Sequence, residues 1–173
     1  MALLKEYPLG ECELKYTLES GTPVTLGLTL KDEETIFSSN VDIYKIEVDQ
    51  LDGPYRAFYT QGETTFKCSS ILDMENLEKL TPVYEKGTSG YAMSTAGKEV
   101  KFGKLEIHPI SAGSSTDYDI TGPKVLCKVE VQIEYKKEGK AKCNLTFEFS
   151  ADDKSESPTY RKVFTVGKYQ AGA

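Results

Sequence analysis

Histidine is almost missing from this chain: His108 is the single one among 173 residues. It precedes Pro109 at the end of an apolar-alternating stretch, where a structural, hydrogen-bonded histidine is expected rather than a ligand or a general base. Nucleophile-elbow, P-loop, HExxH and CxxC patterns are all absent, so the usual local signatures of hydrolytic, nucleotide-binding and zinc-dependent chemistry are lacking. No apolar run approaches the roughly 20 residues that a membrane-crossing helix needs, so no membrane partner is expected. Positive charge is in deficit, with 21 Lys and Arg against 27 Asp and Glu. The net charge of −6 argues against gripping nucleic acid, which is driven by clustered cations. The opening MALLKEYPLGECE lacks the basic region and apolar core of a secretion signal. Cysteine is sparse: Cys12, Cys68, Cys127 and Cys143 are widely spaced, each on an apolar row, and are expected as buried free thiols.

What is present is alternation. From Pro123 to Ser150 the odd positions Val125, Cys127, Val129, Val131, Ile133 and Tyr135, then Ala141, Cys143, Leu145, Phe147 and Phe149, are apolar or small. The even positions are almost all polar, so two half-buried strands are expected. Both apolar rows share a face only if odd faces odd, which requires an odd-numbered loop. Lys137-Glu138-Gly139 satisfies this, with Gly139 as the left-handed third residue. That register sets Tyr135 opposite Ala141, Ile133 opposite Cys143, Val131 opposite Leu145 and Val129 opposite Phe147, with Glu134–Lys142 and Lys128–Glu148 as favourable pairs.

The same reasoning places a hairpin over Glu11 to Lys31, its even-numbered rows Cys12–Leu18 and Val24–Leu30 joined by the five residues 19–23. Asp32 to Asn40 reads as a polar connection with an apolar patch at Ile36-Phe37. A meander follows, with a tight turn at Asp52-Gly53 setting Val48 opposite Ala57 and Ile46 opposite Tyr59, and a second at Gln61-Gly62 setting Ala57 opposite Phe66 and Tyr55 opposite Cys68. One helix is expected over Asp73 to Leu80: Asp73 is the N-cap, Met74, Leu77 and Leu80 line one side, and Pro82 ends it. Tyr84 to Gly97 and Ser111 to Gly122 read as long loops. Lys98 to Ile107 reads as a strand with a β-bulge at Gly103, where the apolar phase changes. A short strand is expected over Tyr160 to Val166. The whole is one domain (1–173), an antiparallel β-sandwich or barrel of about eight to ten strands with one short helix, an N-terminal arm (1–10) and a C-terminal tail (167–173).

Chemistry is thin. Asp49, Asp52, Asp117, Asp119, Asp152 and Asp153 lie in or beside loops; a loose calcium cluster competes there with plain turn formation, and no EF-hand spacing occurs. Asn144-Leu145-Thr146 is a glycosylation sequon in the middle of a strand and is taken as chance. No nucleophile, base and ligand set converges, so no catalytic, cofactor-binding or metal residue is assigned. The residues alone describe a mainly β binding or assembly module.

Four segments occur in order: ILDMENLEKL after a strand, KFGKLEIHPI ending in His-Pro, DITGPKV opening the long hairpin, and RKVFTVG near the C-terminus. Together, over roughly Asp42 to Gly167, they resemble the tail tube (major tail) proteins of long-tailed bacteriophages. The type VI secretion tube protein shares that general fold. The resemblance implies a virion β-sandwich subunit, assembled in the host cytoplasm into six-fold rings. These would stack through terminal and inter-strand loop contacts into a hollow tail tube that conducts viral DNA. It implies other copies of this chain as partners, with tape-measure and tail-terminator proteins, and DNA passing without specific binding. An acidic wall would let phosphate slide. The hairpin's polar row departs from a uniform wall, because Lys128, Lys136, Lys140 and Lys142 stand beside Glu130, Glu134 and Glu148. A second class of function, a tail-associated β-sandwich binding carbohydrate or a receptor, would need an exposed aromatic platform such as Tyr84 and Tyr91.

Overall fold

The computed structural model describes residues 7–169 except 9, 20, 27–28, 31–32, 50–52, 72 and 140. The chain is mainly β. Its strands are β1 (Cys12–Leu18), β2 (Val24–Leu26), β3 (Ile36–Glu47), β4 (Pro54–Ile71), β5 (Tyr84–Lys86), β6 (Tyr91–Met93), β7 (Gly103–Pro109), β8 (Ile120–Ile133), β9 (Ala141–Ser150) and β10 (Thr165–Val166). One helix, α1 (Met74–Leu80), follows β4.

Eight strands form one antiparallel sheet in the order β2-β1-β7-β8-β9-β4-β3, with β10 beside the start of β8. The strip then turns back on itself: Thr29, beyond β2, bridges Ser70 near the end of β4, and the Leu30 amide donates to the Ser69 carbonyl at 2.9 Å. The alternating rows explain the closure. Cys12, Leu14 and Tyr16 from β1, Leu105 and Ile107 from β7, Val125 and Cys127 from β8, and Cys143, Leu145, Phe147 and Phe149 from β9 all point into one buried core. Rings from strands that are not sheet neighbours meet there; Tyr16 lies 5.4 Å from Phe147, centroid to centroid. This is the antiparallel β-sandwich-like architecture that the alternation implied.

The helix forms where its local signals place it. The Asp73 carboxylate accepts the Glu75 amide, Leu77 and Leu80 are buried against the sheet, and Thr81, ahead of Pro82, is extended.

Several expectations are corrected. In the long hairpin odd does face odd, but Ile133 pairs with Ala141, Val131 with Cys143, Val129 with Leu145 and Cys127 with Phe147, so the connection is 134–140 rather than three residues. Parity separates odd loops from even ones and says nothing about odd loops of different length. Lys128 sits opposite Thr146 and reaches its expected partner Glu148 along a diagonal. In the first hairpin even faces even, yet Tyr16 rather than Leu18 meets Val24, and β2 has only three residues; Leu28 lies outside the described residues.

The meander is not a meander. Gln61-Gly62 makes no turn: both lie inside the single 18-residue strand β4. The polar connection expected before Asn40 is instead the start of β3, whose Ile36 and Phe37 pair with Lys67 and Phe66. Gly62 is needed because the opposite strand bulges between Ser39 and Val41, and a Cβ on Gly62 would overlap the Asn40 side chain. Val48 falls outside β3, and Ile46 pairs with Arg56 rather than Tyr59. Of the Asp52-Gly53 turn, Asp52 lies outside the described residues, while Gly53 has φ +134°.

Tyr84 to Gly97 holds a small hairpin, β5 with β6, in place of a plain loop. The strand expected over Lys98–Ile107 begins only at Gly103 and runs to Pro109, with its irregularity against β8 between Gly103 and Leu105 as expected. The expected strand over Tyr160–Val166 shrinks to β10; Tyr160 makes an isolated parallel bridge to Asp152. Most of the N-terminal arm and the end of the C-terminal tail lie outside the described residues.

Candidate interaction surface

Beyond the bulge at Asn40, β3 and β4 leave the body of the sheet. β9 pairs with β4 only from Thr65 to Ile71, so Val41–Glu47 and Pro54–Gln61 have no partner but each other among the described pairings. The root of this ribbon is fastened. The Ser39 and Thr64 hydroxyls meet at 2.8 Å, and the Gln61 amide donates to the Phe149 carbonyl at 3.2 Å.

The ribbon does not alternate polar with apolar. Ile43 faces Tyr59 on one side, with Val41 beside them; Tyr44 faces Phe58 on the other, with Ile46 beside them. All six are exposed, Tyr59 at 82% and Val41 at 67%. A two-stranded ribbon is marginal alone in water, and here apolar side chains are grouped on both of its faces. Among the described residues no third strand pairs with either ribbon edge, the arrangement that leaves an edge open to another strand. A further edge without a strand partner among the described residues lies on β8, whose pairing with β7 stops at Val125 while β9 continues to Ile133.

The residues singled out from the sequence are scattered. Both ring nitrogens of His108 meet oxygens, Nδ1 with Asp119 Oδ1 at 2.6 Å and Nε2 with the Gly113 carbonyl at 2.8 Å. It is therefore the bonded structural residue expected. Asp152 is a turn-former: its carboxylate accepts the Lys154 amide at 3.1 Å and the Thr159 hydroxyl at 2.6 Å. Hydrogen bonds from the Ser157 and Thr159 hydroxyls hold it below the usual carboxylate range. Asp153 pairs with Lys124, and Asp49 is exposed in the connection before the ribbon's second strand. Among the described residues no three His, Cys, Asp or Glu side chains gather as a metal site. Asn144 accepts from the Ser69 hydroxyl between β4 and β9. Tyr84 and Tyr91 are both half-buried, and Tyr84 packs on the core.

The four cysteines lie on β1, β4, β8 and β9 and are free and buried. Burial pushes the Cys12 thiol up to about 11 and Cys68 up to about 12, with Cys127 and Cys143 raised as well. An open cleft of about 630 Å³ runs between Leu18, Phe102 and Pro123. Its lysines are neutralised one by one: Lys104 by Glu106, Lys124 by Asp153 and Lys154 by Glu19.

The pairing of these two segments across Asp52-Gly53 was legible, but their register and their extension beyond the sheet were not, because the alternation that marks half-buried strands is missing where neither face is buried. The other signal was a run of aromatic and β-branched residues, Ile43, Tyr44, Ile46, Tyr55, Phe58 and Tyr59. No family model matches the chain, and no curated protein matches it in sequence. No helix among the described residues is long and apolar enough to cross a membrane.

Proposed function

We propose that this chain is a structural subunit that associates with copies of itself into rings stacked as a hollow tube, in the manner of the phage tail tube proteins its sequence segments resemble. One observation carries the reading: the β3–β4 ribbon, open at both edges and apolar on both faces, attached to a well-packed body. The occupant that suits it is a second copy, because the same chain offers a matching open strand edge at β8 residues 126–133. Pairing ribbon to edge in a head-to-tail sense leaves one ribbon and one edge unsatisfied at each step, so the contact propagates until a ring closes. The acidic balance, −6 overall, suits a wall along which nucleic acid slides without being held. Tape-measure and tail-terminator partners, and a place in the virion tail, belong to the same proposal.

Sedimentation velocity and negative-stain microscopy of the full-length chain test it. Rings or tubes growing with concentration are the expected result. A chain that stays monomeric at high concentration overturns the reading.

A further inference from the structure

At the end of β7, His108 ties a small knot. Nδ1 faces a carboxylate oxygen of Asp119, and Nε2 faces the carbonyl of Gly113, the residue that closes the turn Ile110–Ala112. Neutral imidazole has one N–H and one lone pair. With an acceptor at each nitrogen, the neutral ring must aim a lone pair at an oxygen; only the cation donates to both. Asp119 also joins the knot to its surroundings. Its own carbonyl accepts the Gly167 amide at 2.8 Å, and its neighbour Tyr118 accepts the Tyr7 hydroxyl through its carbonyl at 2.8 Å. The Tyr7 and Tyr118 rings meet edge to face, with centroids 5.9 Å apart.

We infer that His108 is a proton-operated latch: protonated on both nitrogens it holds the Gly113 turn against Asp119, and on losing a proton it releases that turn and loosens the Tyr118 seat on which Tyr7 rests. The charges around it favour the closed form. Asp119 faces it from the loop, and Glu13 sits opposite it on β1. On the same face of β7, Glu106 is paired with Lys104 and Lys15. β8 brings the uncharged Thr121 opposite Glu106, and β10 is followed by the Gly167 amide. The hydrogen bond to Asp119, then that to Gly113, lifts the His108 pKa above its ordinary value. A raised folded-state value means that the latch contributes its full stability below about 6.5, the unperturbed histidine value, and loses it as pH rises through the higher folded value. The inference rests on this knot alone and stands apart from tube assembly.

The test uses the full chain, in which the only histidine gives an unambiguous imidazole signal in an NMR titration. The expected result is a midpoint above 6.5 for His108, with hydrogen-exchange protection factors of residues 110–119 falling at least several-fold through the same midpoint. His108→Gln should hold those protection factors at the high-pH level throughout. Asp119→Asn should lower the midpoint and carry the exchange transition down with it, which keeps the test intact if His108→Gln does not fold. A midpoint at or below 6.5 overturns the latch, and so does a raised midpoint with no accompanying change in the loop.

Discussion

The Tyr16 hydroxyl, on β1, donates to the carbonyl of Val125, on β8, at 3.1 Å in the sealed interior, although β7 lies between those strands in the sheet. Gly103 is what lets it through. It sits on β7 opposite both Leu18 and Val125, and a Cβ there would stand 2.7 Å from the Tyr16 ring and 2.5 Å from the Thr17 carbonyl. Tyrosine, bulge and glycine are therefore one device, which fills the core with a ring and gives its polar tip a partner.

Two substitutions separate its parts. Tyr16→Phe keeps the packing and loses the bond, and should cost about 1 kcal/mol in chemical denaturation. Gly103→Ala should cost more, about 1–3 kcal/mol, because the added methyl displaces the ring and meets backbone. An alanine variant as stable as the parent would show that β7 does not pass beneath Tyr16.

Gly139 is required for a different reason from the one its loop suggested. It is not among the glycines with positive φ. A Cβ there would overlap the Glu134 carbonyl within the 134–140 connection, which the Lys136 carbonyl and Gly139 amide close at 2.9 Å. Gly139→Ala should therefore already lower the melting temperature, by several degrees for a loss of about 1–2 kcal/mol. A left-handed requirement alone would spare Gly139→Asn more than Gly139→Ala; overlap with backbone penalises both.

These positions show what the sequence could and could not disclose. Asp73, Leu77, Leu80 and Pro82 act within one turn or two of each other, so the helix was legible to the residue. Odd-numbered apolar rows put Cys127, Cys143, Leu145 and Phe147 inward, and they are inward; but the pairing slid by two residues because facing parity is unchanged by such a slip. The Tyr16–Val125 bond spans 109 residues of chain and leaves no local mark. Gly62 misled for the opposite reason. Its local signal was a turn, while its use is to pass a bulge on another strand.

The thiols should report the integrity of the core. With Cys12 near 11 and Cys68 near 12, the thiolate fraction at pH 8 is on the order of one part in a thousand or less. Burial cuts access further. The folded chain should react with a thiol reagent only at the rate at which strands open, and in denaturant four thiols should react at once. Fewer than four in denaturant would reveal a bridge, and a fast thiol in the folded chain would identify a strand that opens locally.

The ribbon carries the proposed assembly, and it invites a substitution that spares the fold. Ile43 and Tyr59 face each other across β3 and β4, and both are exposed. Ile43→Lys with Tyr59→Glu replaces an apolar cross-strand pair by opposite charges, which still favour the ribbon while abolishing the apolar face. The β-signal in circular dichroism should persist, and stability should stay within about 0.5 kcal/mol, as for exposed sites generally. Growth into rings or tubes should be lost in sedimentation and in microscopy. Tyr44→Lys with Phe58→Glu makes the same change on the opposite face, and comparing the two variants shows which face meets the neighbouring copy. Assembly undiminished in both would remove the ribbon as the contact and with it the support for a tube. A cooperative melt lost in either would show that the ribbon belongs to the fold of the single chain, in which case its exposed aromatics need an explanation within the subunit rather than between subunits.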